Sequence, residues 1–243
     1  MARFPSPNTF GPRTYEMQYE SRADTVTVAR FFNAVYAWMA AGLALTAVVA
    51  WYVSTRPDLM MQIFRGPVLI GLIIVELVLV FTVAAAVNKI NAAVATGLFL
   101  LYSALNGLTL SAIFIVYAQA TIASAFIITA GTFGAMSVWG FVTKRDLSGM
   151  GSILFMALIG LVLASIVNMF WANSMLTMLI NYAGVLIFVG LTAYDTQKLK
   201  AIAVATAHDA AMSARLSVSG ALTLYLDFVN LFLFLLRILG RRD

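Results

Sequence analysis

Two long stretches of this chain contain no charged residue, and they constrain its fold more than any other feature. The first runs from Ile90 to Thr143 and the second from Leu147 to Tyr194. A helix needs about 20 apolar residues to cross a bilayer, so each stretch is too long for one crossing and long enough for two. The turns are expected near Tyr117 and Trp171, where polar residues interrupt the apolar pattern.

The remaining apolar runs raise the number of expected membrane spans to seven. Of the 243 residues, 62% are hydrophobic and 10% are charged, so the composition indicates an all-α integral membrane protein rather than a soluble domain. A polar connection is expected from Thr196 to Ser219. The last run is long enough to cross the membrane fully, which we expect, and a re-entrant segment is the alternative because it would return Arg241 and Arg242 to the cytoplasmic side. The predicted runs are residues 31–53, 68–87, 92–116, 122–142, 153–170, 176–194 and 220–239.

The N-terminal segment, residues 1–30, is polar and contains several prolines, so we expect a mobile tail before a transmembrane domain over residues 31–243. It has no short apolar core before a small-residue cleavage site, which argues against a signal peptide. Lysine and arginine accumulate on the side of the membrane that carries this tail. Because such residues mark the cytoplasmic side, the N-terminus of this multi-pass protein is expected in the cytoplasm.

Composition also excludes several classes of chemistry. The chain has no cysteine, which excludes disulfides, thiolate metal sites and thiol catalysis. Its net charge of +5 comes from basic residues scattered at the ends of the apolar runs. That distribution suits orientation in a bilayer and argues against nucleic acid as a partner. The expected partners are the lipid bilayer, ions and other membrane proteins.

Two aspartates are the strongest functional candidates: Asp195 ends the sixth run and Asp227 lies inside the seventh. A carboxylate in the hydrocarbon region costs about 2.5–3.5 kcal/mol on the scale from membrane insertion, so such residues usually face a partner or a wet cavity. The last two helices are antiparallel, and the carboxyls lie at a similar depth if the sixth helix continues past Lys198. In a low dielectric we expect them to share a proton and titrate as a unit.

Helical spacing places further polar residues on the same faces as the aspartates. Asn181 shares a face with Asp195, and Thr223 and Asn230 share one with Asp227. We expect these residues to line a cation pathway. Calcium prefers several oxygen ligands, so Asp195 and Asp227 are also candidate calcium ligands.

Each acidic residue also has a structural interpretation. One aspartate could lie exposed among the lipid headgroups while the other is satisfied by an asparagine or tyrosine. Glu76 stands alone near the middle of the second run. It is expected either to be protonated and hydrogen-bonded to a neighbouring helix or to belong to the ion pathway.

Three segments carry a likeness to known proteins: Ala-Tyr-Asp-Thr-Gln at 193–197, Ala-Leu-Thr-Leu-Tyr-Leu-Asp-Phe-Val-Asn-Leu-Phe at 221–232, and Asn-Gly-Leu-Thr-Leu-Ser at 106–111. They resemble the Bax inhibitor-1 family, also called the transmembrane BAX inhibitor motif family. The polar N-terminal tail is similar to that of bacterial inner-membrane members. The resemblance implies a seven-helix bundle with the last helix at its centre, a pH-sensitive calcium leak, and a paired-aspartate sensor that matches Asp195 and Asp227.

The resemblance also implies roles for two residues of the second helix. The acidic residue of the family in that helix matches Glu76. Some relatives carry an arginine near the cytoplasmic end of the same helix, able to compete for the aspartates. The corresponding stretch here offers only Lys89, which is therefore the candidate basic competitor.

Three other functions stay open. A stress-response or interaction protein that binds other membrane proteins and conducts nothing fits the same bundle. Tyr194-Asp195 resembles half of an intramembrane aspartyl protease pair, but residues 224–226 hold no glycine before Asp227, so we expect no enzyme activity. A proton-coupled transporter is disfavoured because no convincing internal repeat occurs. No cofactor is expected, apart from calcium as a transported or weakly bound ion.

Overall fold

The structure is a computed structural model that describes residues 12–86 and 90–240, with side chains described for residues 26–83 and 90–240. Within that part of the chain, all regular structure is α-helical. The helices are α1 (Pro12–Ser54), α2 (Pro57–Ile63), α3 (Gly66–Ala86), α4 (Ala92–Leu110), α5 (Ile113–Val116), α6 (Gln119–Val142), α7 (Ser148–Trp171), α8 (Ser174–Ala205) and α9 (Ala210–Leu239).

Among the described residues, seven helical segments are long and apolar enough to cross a bilayer, which confirms the predicted all-α membrane fold. The short helix α5 extends α4 to complete the third span, and α2 lies in the connection before α3. The spans are Val26–Ser54, Gly66–Val83, Ala92–Val116, Gln119–Val142, Ser148–Trp171, Ser174–Ala205 and Ala210–Leu239.

The polar connection predicted over Thr196–Ser219 is wrong, because α8 and α9 extend into it from both sides. Only residues 206–209 join the two helices. The stretch contains no proline or glycine, and Leu199 and Ala203 bury an apolar stripe against the bundle. The side chain of Asp209 then begins α9 by accepting a 2.8 Å hydrogen bond from the backbone N–H of Met212.

At the other end of the chain, α1 begins at Pro12, inside the segment predicted as a tail. The part of α1 that is apolar enough to span a membrane begins only at Val26. The helix and the membrane span therefore have different starts. The mobility of residues 1–30 stays a prediction.

The last helix, α9, lies at the centre of the bundle. It packs against α1, α4, α6 and α8. In the most apolar stretch of α9, 56% of the residues are buried, whereas only 6% are buried in the corresponding stretches of α3 and α7. Helix α3 packs mainly on α4 and α7 mainly on α8, so their apolar outer sides face the lipid region. A central last helix is thus confirmed.

One glycine sets the distance between α6 and α8. A Cβ atom on Gly140 would collide with the backbone of Ala193, so the two helices touch there at backbone level. Gly131 and Gly134 lie on the same helix but have no neighbouring atom within 4 Å of an added Cβ. The close approach at Gly140 fixes the turn of α8 that precedes Asp195.

Candidate functional site

Asp195 on α8 and Asp227 on α9 face each other inside the bundle. Their side chains are 9% and 4% exposed, and the two carboxyl groups lie within hydrogen-bonding reach of one another. Asp227 Oδ2 is fully enclosed and has no hydrogen-bond partner among the described residues. An ionised carboxyl only accepts hydrogen bonds, so a bond between the two groups requires that one of them carries a proton.

A cavity of about 790 Å³ opens beside the pair and is lined by α7, α8 and α9. Thr223 and Asn230, both predicted for the ion pathway, line this cavity together with the aspartates. The Asn230 side-chain N–H donates to the carbonyl of Leu226 at 2.8 Å, and its carbonyl oxygen takes no part in that bond. The cavity therefore offers carboxyl, amide and hydroxyl oxygens.

The donor set decides which metal role is compatible with this cavity. The described part of the chain holds no cluster of three or more histidine, cysteine or acidic side chains. Calcium takes six to eight oxygen ligands. Two bidentate carboxyls with Asn230 and Thr223 offer at most six oxygens, the lower end of that range, so water has to complete any larger shell. A shell shared with water suits a calcium ion in passage.

A smaller polar cavity, of about 420 Å³, continues the site toward the α6–α7 loop. It shares Tyr194 and Lys198 with the aspartate cavity and adds Lys144 and Arg145 from the loop. Lys198 lies one helical turn beyond Asp195 and acts on it electrostatically. We call this the basic end of the bundle.

Gln197 fixes the loop at the basic end. Its side-chain N–H donates to the carbonyl of Arg145 at 2.8 Å, and its carbonyl accepts from the N–H of Leu147 at 2.9 Å. Asp146 accepts from the Ser148 N–H at 2.9 Å, and this bond, helped by the Ser148 side chain, holds the pKa of the exposed Asp146 carboxyl below its ordinary value. The loop therefore has a defined shape at the mouth of the site.

In the opposite direction, two more cavities follow along the same three helices. The middle one, about 320 Å³, shares Phe188 and Asn230 with the aspartate cavity. The far one, about 670 Å³, shares Ser165 with the middle cavity and is lined by Asn181 and Arg237. The four cavities thus form a row, which we call the α8–α9 groove. Asn181 lies at its far end, away from the aspartates with which it was grouped.

Glu76 lies on the other side of the central helix, in a separate polar network. Its Oε1 accepts a 3.1 Å hydrogen bond from the hydroxyl of Thr109 on α4. Asn106, one turn earlier on α4, donates to the hydroxyl of Tyr225 at 3.0 Å. That hydroxyl also pairs with Thr46 of α1 at 2.7 Å. The network joins α1, α3, α4 and α9, and none of the cavities in the α8–α9 groove includes Glu76.

Comparisons with known proteins agree with this architecture. Residues 28–243 match the family described as "Inhibitor of apoptosis-promoting Bax1". The chain belongs to the Bax inhibitor-1 family. It is 54% identical over 228 residues to the inner membrane protein YbhL of Escherichia coli K12, an alignment that covers 91% of this chain and 97% of that protein.

Two further relatives come from other bacteria. An uncharacterized protein of Deinococcus radiodurans is 47% identical over 216 residues, covering 89% of this chain and 92% of its own. An uncharacterized membrane protein of Streptococcus pyogenes serotype M1 is 42% identical over 221 residues, covering 90% and 95%. The predicted membership of the family is therefore confirmed over nearly the whole chain.

Within the Bax inhibitor-1 bundle, some predicted residues come together and others do not. Asp195, Asp227, Thr223 and Asn230 share one cavity, whereas Asn181 and Glu76 lie elsewhere. Lys89, the candidate basic competitor, falls outside the described residues.

Two features were not predicted from the sequence, one in each polar region. At the aspartate site, Lys198 could have been predicted, because it follows Asp195 by one helical turn. In the separate network around Glu76, the hydrogen bond between Asn106 and Tyr225 could not, because 119 positions separate the two residues in the chain.

Proposed function

We propose that this protein is a pH-sensitive cation leak channel, with calcium as the expected ion, gated by the Asp195–Asp227 pair. The observation that carries the proposal is the position of the pair. Two buried carboxyls face each other in the second of the four cavities that form the α8–α9 groove, next to the cavity at the basic end. Membership of the Bax inhibitor-1 family supports the same reading, because the paired aspartates match the motif that the resemblance associates with pH sensing.

The pair gates by holding or releasing α8 and α9. With one proton shared, a neutral carboxyl donates to its ionised partner and links the two helices. Once that proton leaves, two like charges meet in a low dielectric and repel strongly. The helices then separate, or a cation enters and neutralises the pair with help from Asn230 and Thr223. Either outcome changes the width of the groove.

The surroundings of the pair contain few other titratable groups. Among the described residues that line the aspartate cavity, these are Tyr194 and Lys198, both on α8, while the lining residues from α7 and α9 other than Asp227 are uncharged. Helix α6 contributes the hydroxyl of Ser137, which receives a 3.4 Å hydrogen bond from Thr196. The positive charge of Lys198 therefore stabilises the state in which one carboxyl is ionised and the other keeps its proton. We attribute the pH response to loss of that remaining proton.

The proposal includes an orientation. Lys144, Arg145, Lys198 and Lys200 cluster at the basic end, and by the positive-inside rule this end faces the cytoplasm. The N-terminus then lies on the same side. The aspartates accordingly sense cytoplasmic pH. The membrane we propose is the bacterial inner membrane, because the Escherichia coli relative is named an inner membrane protein.

Calcium flux in liposomes across a pH series tests the function. Asparagine has the shape of a protonated aspartic acid and cannot ionise, so Asp195→Asn is expected to fix the flux at the low-pH level of the unsubstituted protein at every pH. Asp227→Asn is expected to do the same. Asp58→Asn, which changes an exposed carboxyl on α2 far from the pair, serves as the matched control and is expected to keep the full pH response.

Two outcomes would contradict the proposal. A pH response that persists in both asparagine variants would remove the pair as the gate. Zero flux from correctly folded unsubstituted protein would remove the channel. Specific capture of membrane proteins together with zero flux would then favour the second candidate, an interaction protein that uses the exposed sides of α3 and α7.

A further inference from the structure

The two aspartates have a counterpart deeper in the α8–α9 groove. Phe188 precedes Asp195 by seven residues on α8, and Phe234 follows Asp227 by seven residues on α9. Seven residues are two helical turns, or about 10 Å along the axis. Because the helices run antiparallel, both steps lead away from the basic end. The aromatic pair therefore lies at one level, two turns below the acidic pair.

The two rings are in contact and nearly parallel. Their centroids are 5.9 Å apart and the ring planes differ by 26°. Both side chains are buried, with exposures of 5% and 8%. Stacked rings at this distance attract each other beyond the burial of their surface. The contact is thus a second bridge between α8 and α9.

Gly184 and Arg237 hold the ring of Phe234 in place. A Cβ atom added to Gly184 would lie 2.7 Å from three atoms of that ring, so only glycine leaves room for it. The guanidinium of Arg237 lies 5.4 Å from the centroid of the same ring. The ring is accordingly fixed by groups from both helices.

The aromatic pair lies at the smallest cavity of the groove. Phe188 lines both the aspartate cavity and the middle cavity, and Phe234 lines the middle one. At about 320 Å³ the middle cavity is the smallest of the row, and most of its lining is apolar. The cavities on either side of it hold the aspartates and Arg237 respectively.

We propose that Phe188 and Phe234 form a hydrophobic plug, defined by these two rings, which closes the α8–α9 groove to ions and water. This inference rests on the proposed function and adds the barrier that the acidic pair controls. A narrow apolar constriction excludes water, and an ion cannot shed its hydration shell there without compensation. The same two helices carry both pairs, so a separation of α8 from α9 at the aspartates also parts the rings.

Substitution of Phe188 tests the plug in the calcium-flux assay. Phe188→Ala is expected to raise the flux about tenfold in the closed condition, equivalent to about 1.4 kcal/mol of barrier, and to flatten the pH response. Phe188→Leu keeps most of the apolar volume and is expected to raise the flux by a smaller factor, so it decides the matter if the alanine variant does not fold. Phe170→Ala removes a ring that is 78% exposed near the C-terminal end of α7; it is the matched control and is expected to leave the flux unchanged.

A labelling experiment tests the plug without relying on conduction. The chain has no cysteine, so Ser165→Cys in the middle cavity and Thr223→Cys in the aspartate cavity each introduce a single thiol. A membrane-impermeant thiol reagent is added only to the basic end of protein in sealed vesicles. The plug predicts slow labelling at 165, several-fold faster labelling when Phe188→Ala is added, and equal labelling at 223 in both backgrounds.

The results separate the plug from the channel. If the unsubstituted protein conducts with a pH response and Phe188→Ala and Phe188→Leu leave flux and labelling unchanged, the plug is wrong and the channel stands. If the unsubstituted protein conducts nothing but Phe188→Ala accelerates labelling at 165, the channel is wrong and the plug stands as a barrier to water. Equal labelling at 165 with and without Phe188→Ala overturns the plug in either case.

Discussion

Tyr225 and Asp227 lie two residues apart on α9 and face opposite sides of it. The hydroxyl of Tyr225 meets Thr46 and Asn106, whereas the carboxyl of Asp227 meets Asp195. Two residues correspond to a rotation of about 200° around the helix axis, so the two polar side chains point to opposite sides of the bundle. The central helix therefore carries one polar contact for α1 and α4 and another for α8.

Removing the Tyr225 hydroxyl is expected to destabilise the bundle. Tyr225→Phe leaves the hydroxyl of Thr46 and the amide of Asn106 without this partner, at a cost of about 1–2 kcal/mol of unfolding free energy. A lower thermal unfolding midpoint in detergent would show it. Tyr182→Phe removes a hydroxyl from a 52% exposed ring and is expected to leave the midpoint unchanged. Equal midpoints for the two variants would contradict the prediction.

A methyl group on Gly140 is expected to push α6 away from α8. Gly140→Ala places a Cβ against the backbone of Ala193, which cannot move independently of its helix, and overpacking of this kind costs about 1–3 kcal/mol. Gly134→Ala has open space around the new atom and is expected to gain about 0.5–1 kcal/mol from the better helix former. The sign of the shift in unfolding midpoint distinguishes the two, and a stabilising Gly140→Ala would refute the close contact.

The side chain of Gln197 is expected to protect the α6–α7 loop from proteolysis. Gln197→Ala removes two hydrogen bonds to the loop backbone, each worth about 0.5–1.5 kcal/mol, so trypsin should cleave after Lys144 or Arg145 several-fold faster. Gln119→Ala, an exposed glutamine at the other end of the bundle, provides the control. Cleavage at the same rate in both variants would mean that the loop is held by other contacts.

Acid is expected to loosen the first turn of α7. Hydrogen bonds from Ser148 hold the pKa of Asp146 below its ordinary value of 3.8. A carboxyl whose pKa is depressed by folding stabilises the folded loop above that ordinary value, and this stabilisation is lost as the pH falls through the folded pKa. Hydrogen exchange at the Ser148 amide should therefore accelerate, relative to its intrinsic rate, only below about pH 4. Asp146→Ala should remove this pH dependence, and a dependence that survives would assign it to another group.

The sequence was sufficient to place the membrane spans, because each must satisfy its own backbone hydrogen bonds in lipid and must be about 20 apolar residues long. It was misleading at the junction of α8 and α9. Lys198, Lys200 and Arg215 make that region polar, yet these helices continue beyond the apolar zone as amphipathic helices. Charge alone does not distinguish a loop from such an extension, whereas the buried positions of Leu199 and Ala203 do.

The candidate site was predictable only where neighbouring helices follow each other in the chain. Asp195 and Asp227 lie on consecutive antiparallel helices, so their approach could be inferred from spacing. Asn181 shares the face of Asp195 but precedes it by 14 residues, about 21 Å along the helix, and so belongs to the far cavity. The contacts of Glu76 and Tyr225 depend on how distant segments pack, and one sequence does not contain that information.

The central position of α9 has a consequence for how the protein is made. The ribosome delivers α9 after the other six spans. The four helices that pack against it, α1, α4, α6 and α8, therefore enter the bilayer before their common packing partner exists. Until α9 is inserted, Thr46 and Asn106 lack their hydrogen-bond partner, the Tyr225 hydroxyl, and Asp195 lacks Asp227. Assembly of the bundle must therefore follow insertion of its last span, and a chain that stalls before that point lacks the helix against which α1, α4, α6 and α8 pack.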